Sequence, residues 1–264
     1  MRRLLGLWLL SPALLWADAP VSLDEVFCAT CHFDQGEEFA QSIHYQQGQL
    51  LCNDCHGGLP FEADPEKAKA PGTGFIGKPR RQDVAALCGK CHAAPARFFA
   101  QGPHAAWQHQ ANPTCISCHH NHHVEDATLA LMDSTCTQCH QAGTPALARG
   151  NTIRQRLEQA GEVHRQLKAH SDSLQALEGS LRKAVPYLEA GASALRETDP
   201  MTHALDLGLI EGKLGEARGE EDQVRQLIAD YYAGRRHRVW AVAGIWVLVV
   251  ANVFLFWIKR RQLK

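Results

Sequence analysis

Cys28-Ala29-Thr30-Cys31-His32 is the first of five sequence motifs in which two cysteines, separated by two residues, are followed directly by a histidine. The other four are Cys52-Asn53-Asp54-Cys55-His56, Cys88-Gly89-Lys90-Cys91-His92, Cys115-Ile116-Ser117-Cys118-His119 and Cys136-Thr137-Gln138-Cys139-His140. Together they contain all ten cysteines of the 264-residue chain. Zinc sites and disulfides also use paired cysteines, but neither requires a histidine at a fixed position after every pair.

The C-x-x-C-H pattern is the attachment site of c-type haem. The two thiols add across the haem vinyl groups, and the histidine that follows binds the iron from the proximal side. The sequence therefore predicts five haem c groups held covalently by all ten cysteines, with five proximal iron ligands: His32, His56, His92, His119 and His140.

The N-terminus has the features of a secretory signal peptide. Two arginines, Arg2 and Arg3, precede an apolar run of about 13 residues, which is too short to span a membrane, and small residues follow at Ala17 and Ala19. We predict a signal peptide over residues 1–17, cut after Ala17 or Ala19. Because haem is attached after export in bacteria, this prediction agrees with the motifs and indicates the periplasm.

A second apolar segment near the C-terminus, residues 240–258, contains no charged residue. Its 19 residues would rise about 28 Å as a helix, enough to cross the hydrocarbon core of a bilayer. We predict a single transmembrane helix, with the haem region on the periplasmic side and residues 259–264 in the cytoplasm. The alternative is a buried core helix.

Between the two ends, the composition changes near residue 148. Residues 18–148 hold all five motifs and show no amphipathic period, so we expect little regular structure packed around the haems. Residues 149–236 lack cysteine and carry apolar residues at helical spacing, which predicts a long helical hairpin bent at Pro186, with a turn where Asp199 caps a second helix. The fold class is thus mainly α. A coiled-coil dimerisation stalk is the alternative for the hairpin.

Ten of the 15 histidines remain after the five proximal ligands. A second side chain on each iron favours electron transfer, whereas an open sixth position favours chemistry on small molecules. Two histidines on the predicted hairpin, His164 and His203, are candidate distal ligands, because a plain stalk needs none. Full bis-histidine ligation is therefore feasible.

Some of the motifs resemble a known group of periplasmic multihaem cytochromes. Ser42-Ile43-His44, then Gly48 and then the second motif with Gly57, is similar to the S-x-H…G…C-x-x-C-H-G arrangement of the nitrite reductase and hydroxylamine oxidoreductase superfamily and its quinol-dehydrogenase and pentahaem electron-donor relatives. The resemblance implies that His44 is a distal ligand. Looser similarities imply the same for His104 and for His122, with His123 as the alternative to His122. Long C-terminal helices that donate a ligand are also a property of the group.

The chain departs from this group in two ways that bear on activity. The C-x-x-C-K motif on which many nitrite reductases carry their catalytic haem does not occur, and the predicted anchor is C-terminal, whereas that of the quinol-oxidising relatives is N-terminal. We therefore expect an electron carrier, not an enzyme. The alternative is a reductase of a small nitrogen or sulfur oxyanion at a five-coordinate haem.

The charge distribution indicates protein partners. Residues 20–148 contain 13 acidic and 7 basic residues, a net charge of −6, which suits a basic docking surface on a redox protein. We expect the chain to link a membrane donor that oxidises quinol to a periplasmic reductase or cytochrome. Nothing in the sequence indicates nucleic-acid binding.

The mature protein is expected to weigh as much as the cleaved chain plus five haems, an addition of about 3.1 kDa, because each C-x-x-C-H motif takes one haem. Intact-mass spectrometry checks this. A fully matured preparation with four haems or fewer would contradict it.

Overall fold

The computed structural model describes residues 21–105, 112–178 and 181–263. In this part of the chain there are twelve α-helices and no strand, so the mainly α class is confirmed. The helices are α1 Phe27–Cys31, α2 Phe33–Ala40, α3 Ile43–Gln46, α4 Cys52–His56, α5 Pro65–Ala68, α6 Val84–Cys88, α7 Ala93–Gln101, α8 Cys115–His119, α9 Leu131–Cys136, α10 Pro145–Glu178, α11 Val185–Met201 and α12 Leu207–Gln262. The predicted signal peptide, residues 1–17, lies outside the described residues.

The chain divides into two compact units. The described residues of Met1–Arg80 and His119–Asp126 form the first, and those of Arg81–Cys118 and Ala127–Lys264 form the second. The first unit consists of helices of four to eight residues joined by loops. The second contains the long helices α10, α11 and α12, the third and fifth motifs and the two cysteines of the fourth.

Every motif forms one helical turn. In three of the motifs the amide of the histidine, His32, His92 or His140, donates to the carbonyl of the first cysteine at 2.9 Å. Residues three apart on a helical turn lie on the same side, so both cysteines of a motif face one direction. This local geometry brings two sulfurs to a single porphyrin edge.

The helices α10, α11 and α12 pack as a three-helix bundle in which the chain runs up, down and up again. Two apolar layers hold the helices together. One is built around Ile153 and Ile210, both fully buried, and the other around Leu174 and Val224. Because residues early in α10 contact residues early in α12, these two helices run parallel, and α11 runs antiparallel to both.

The bundle differs from the predicted hairpin in where the chain turns. The chain reverses before α11 instead of bending at Pro186, and Pro186 lies in the first turn of α11, where a missing N–H costs nothing. The predicted cap Asp199 is wrong, because α11 continues through it to Met201. The true cap is Asp206, whose side chain accepts a hydrogen bond from the amide of Leu209 at the start of α12.

The last helix, α12, is 56 residues long and continues without interruption from the bundle through the apolar segment. It is long and apolar enough to cross a membrane, and none of its most apolar stretch is buried against the rest of the described chain. Segment 240–258 is therefore not a core helix of this chain. Its exposed side chains include Trp240, Trp246 and Phe256.

Candidate haem sites

Cysteines of different motifs lie next to each other within each unit. In the first unit, burial raises the pKa of the Cys52 thiol to about 11, and the neighbouring Cys28 adds to the rise. In the second unit, a hydrogen bond between Cys88 and Cys115 raises the pKa of Cys88 and lowers that of Cys115 to about 7. The structure therefore sets the first motif beside the second, and the third beside the fourth.

The fifth motif also has a neighbour. Burial raises the pKa of Cys118, and the adjacent Cys136 raises it further. All ten motif cysteines are free thiols in the structure. Their sulfur atoms stand for the thioether sulfurs that haem attachment would form, which carry no proton, so these pKa shifts bear on the state before attachment and mark which motifs are close.

The rings of His56 and His122 face each other in the first unit, with their centroids 6.3 Å apart and their planes at 35°. Nδ1 of His56 lies 2.9 Å from the carbonyl oxygen of Gly77, and Nδ1 of His122 lies 3.5 Å from Glu38 Oε2. A metal-bound imidazole usually donates its other nitrogen to a carbonyl or a carboxylate, which fixes the ring orientation. In both rings these partners leave Nε2 available for a metal.

A close approach of the backbone explains the glycine that follows the second motif. Gly57 has φ +68°, and a Cβ built there would lie 2.0 Å from the carbonyl oxygen of Gly74. The amide of Ile76 then donates to the carbonyl of His56 at 2.9 Å. Only glycine allows this loop to fold over His56 and bring Gly77 to its ring.

A second facing pair, His104 and His140, occurs in the second unit. The ring centroids are 6.2 Å apart and the planes are nearly parallel, at 16°. Burial lowers the pKa of His104, and the neighbouring His140 lowers it further. A lowered pKa keeps the imidazole neutral, which is the form that binds a metal.

His203 lies next to His92 in the same unit. It follows α11 in a 3₁₀ turn, Thr202–Ala204, which packs against α7, the helix that begins directly after His92. Its Nδ1 lies 3.1 Å from the carbonyl oxygen of Pro200. Burial lowers its pKa and His92 contributes to the lowering, whereas the hydrogen bond to Pro200 opposes it.

The remaining predicted ligands have different surroundings. His44 is the second residue of α3, a short helix capped by the fully buried Ser42, and the amide of Ile43 donates to the carbonyl of Val124 at 2.9 Å. The segment that carries His44 is thus joined to the segment 119–126, which contains His119.

His164 is buried between the three bundle helices, with Nδ1 3.5 Å from Glu221 Oε1. A Cβ on Gly191 would lie 3.5 Å from its ring. The structure thus brings His203, and not His164, to a motif histidine among the described residues. His170 contacts Tyr232 at 3.1 Å, and His109 lies outside the described residues.

The ring separations of the two pairs are those that a shared iron would require. A metal–imidazole bond is about 2 Å long and each ring nitrogen lies about 1.1 Å from its centroid, so two imidazoles on opposite sides of one metal have centroids about 6 Å apart. The observed 6.2 and 6.3 Å agree with that distance. Sulfur pairs on helical turns and opposed imidazoles together match the donor set of bis-histidine haem c.

Residues 37–120 match the profile of the family described as cytochrome c7 and related cytochrome c. The match covers less than half of the chain and includes the second, third and fourth motifs. This region is therefore similar to c-type cytochromes of that family. A comparison with curated proteins found no match, and neither did a comparison with solved structures.

Two groups in these sites were not predicted from the sequence. Glu38 and the carbonyl of Gly77 orient His122 and His56, although they lie far from both motifs in the chain. The glycines at 72, 74 and 77 are the sequence signal that could have indicated a tightly folded loop there, and the structure gives each of them a positive φ.

Gly102→Ala is expected to displace the turn that carries His203. A Cβ at residue 102 would lie 2.7 Å from the carbonyl oxygen of His203, and backbone atoms cannot move aside as a side chain can. We expect a loss of roughly 1–3 kcal/mol in unfolding free energy, and a high-spin fraction in the optical spectrum of the oxidised protein.

Gly212→Ala is the matched control, because a Cβ at this exposed position in α12 meets nothing within 4 Å. It is expected to stabilise the protein by roughly 0.5–1 kcal/mol through helix propensity and to leave the spectrum unchanged. Equal spectra for the two variants would contradict the close approach of the turn to the third motif.

Proposed function

We propose that the chain is a membrane-anchored, periplasm-facing cytochrome with five haem c groups, which transfers electrons between a membrane donor and a periplasmic redox protein. The observation that carries the proposal is the set of imidazole pairs, His56 with His122 and His104 with His140, at the separation of two ligands on one iron. Two axial side chains leave no position for a substrate, and this favours electron transfer over catalysis.

Haem c, when bound, supplies a one-electron centre that cycles between ferric and ferrous iron. The residues of the chain hold and orient it. The cysteines would attach the haem and the paired imidazoles would bind its iron, while the Gly77 carbonyl and the Glu38 carboxylate orient the rings of His56 and His122 through Nδ1. Because six-coordinate iron changes little on reduction, this arrangement lets electrons pass without rearrangement of the protein.

We assign distal ligands from the contacts of each unit. His122 is the distal ligand of the iron bound by His56, and His104 that of the iron bound by His140. His203 is the distal ligand of the iron bound by His92. His44 is assigned to His119, because α3 is hydrogen-bonded to the segment in which His119 lies.

The placement in the cell rests on both ends of the chain. The predicted signal peptide, residues 1–17, supports export, and the covalent attachment of haem requires export. The exposed apolar stretch of α12 supports a single membrane anchor, with residues 259–264 in the cytoplasm. The net charge of −6 over residues 20–148 supports docking with basic surfaces of redox proteins.

A reductase of a small nitrogen or sulfur oxyanion is the second candidate, and the first motif is where it would act. His32 is exposed, and none of the described residues sets an imidazole against its ring. Nitrite, hydroxylamine and sulfite are the probes. Spectral shifts on their addition, with turnover, would support the reductase, whereas an unchanged low-spin spectrum would support the carrier.

His104→Ala, His122→Ala and His203→Ala are each expected to open one iron. The oxidised protein should gain a high-spin signal from one haem, and the potential of that haem should rise, because a strong donor to ferric iron has been removed. Optical spectra and a redox titration of the full-length protein in detergent check both effects.

His170→Ala is the matched control, since His170 lies on the bundle surface against Tyr232 and faces no motif histidine among the described residues. Its spectrum and titration should equal those of the unchanged protein. If the three ligand variants remained fully low-spin, the assignment of distal ligands would be wrong.

A further inference from the structure

One end of the three-helix bundle carries the haem motifs of the second unit. A Cβ on Gly150, near the start of α10, would lie 3.5 Å from Cys136 Sγ, and Arg154 pairs with Asp133 of α9 at 2.8 Å. His203 follows the end of α11 and precedes the start of α12. The third and fifth motifs therefore lie where α10 begins, α11 ends and α12 begins, which we call the haem end.

The opposite end of the bundle points toward the predicted membrane segment. Near it, His170 of α10 contacts Tyr232 of α12. Beyond Tyr232, α12 continues to Trp240, past three exposed arginines at 235, 236 and 238. Basic residues beside an apolar span bind the headgroups of anionic lipids, so these arginines mark the membrane surface.

The length of α12 sets the distance between the two ends. From Leu207 to Trp240 the helix rises by about 50 Å, at about 1.5 Å per residue. At a tilt of about 20°, the height is still about 47 Å. At either height, the third and the fifth motifs lie far from the bilayer.

The packing of the bundle helices keeps the distance between its two ends constant. At the level of the apolar layer around Ile153 and Ile210, ion pairs join the helices: Lys213 of α12 lies 2.9 Å from Glu197 of α11, and Arg156 of α10 lies 3.2 Å from Glu211 of α12. Proline does not occur between residues 207 and 262. A packed bundle without a kink site is a rigid spacer.

We propose that the haem sites of the second unit exchange electrons with a protein whose own one-electron centre lies about 50 Å outside the membrane, and not with quinol dissolved in the bilayer. Each exchange moves one electron: the partner's haem or iron–sulfur centre is oxidised as one ferric haem becomes ferrous. This inference rests on the proposed carrier function and specifies its partner.

Charge supports the same arrangement. Residues 149–239 contain 14 acidic and 14 basic residues, so the bundle is neutral, while residues 20–148 carry the net charge of −6. Anionic lipids would attract the arginines before Trp240 and repel the motif region. The acidic excess is thus available to a basic protein partner and disfavours contact with the membrane.

The test uses the full-length protein in anionic vesicles that contain reduced menaquinone, with dithionite-reduced methyl viologen as a soluble donor. We expect the viologen to reduce the haems and the vesicle quinol to reduce none of them above vesicles without quinol. Fast reduction by quinol alone would overturn the inference and leave the carrier function intact. Failure of both donors would contradict the carrier function itself.

Two insertions of 20 residues between Val239 and Trp240 test the spacer directly. A Gly/Ser insertion lets the bundle tip toward the bilayer, and a helical Glu-Ala-Ala-Ala-Lys repeat keeps it upright. Haem quenches a headgroup-labelled fluorescent lipid at short range, so quenching should rise with the flexible insertion and stay low with the helical one and in the unchanged protein. Strong quenching in the unchanged protein would overturn the inference.

Discussion

The constraint on which the structure depends is that a six-coordinate haem iron takes an axial ligand on each face, while a C-x-x-C-H turn supplies only one. The opposed imidazole therefore comes from another part of the chain, 36 residues away for His104 and His140 and 66 for His56 and His122. Under the proposed ligation, each such pair joins two segments through a metal. This explains how helices of four to nine residues form compact units with few buried apolar side chains.

The same constraint explains the loops. Ser42 is fully buried because its hydroxyl and the amide of Ile43 bind Val124, which holds α3 against the segment of His119 and His122. Gly57 must be glycine because another loop crosses it at contact distance on the way to His56. In each case the backbone is shaped around a histidine, since ligand geometry tolerates smaller errors than apolar packing does.

The sequence alone predicts the local features of the fold, but it does not predict which segments of the chain pack against each other. The motif turns, the helical C-terminal region and the apolar segment followed from spacing and composition. The three-helix bundle did not, because the periodicity of α10 and α11 looks the same whether the chain bends or reverses near Pro186. His164 and His203 are both predicted as distal ligands from their place on the helical region, yet the ring of His164 packs against Glu221 and Gly191. Only tertiary structure separates a buried core histidine from one that faces a motif.

The most direct test of the account is the position of the irons. Anomalous diffraction at the iron edge, from crystals of the mature protein, should give five iron peaks. One should lie midway between the rings of His56 and His122, and one midway between His104 and His140. An iron at His56 or His140 whose opposite face meets water or a different side chain would contradict it.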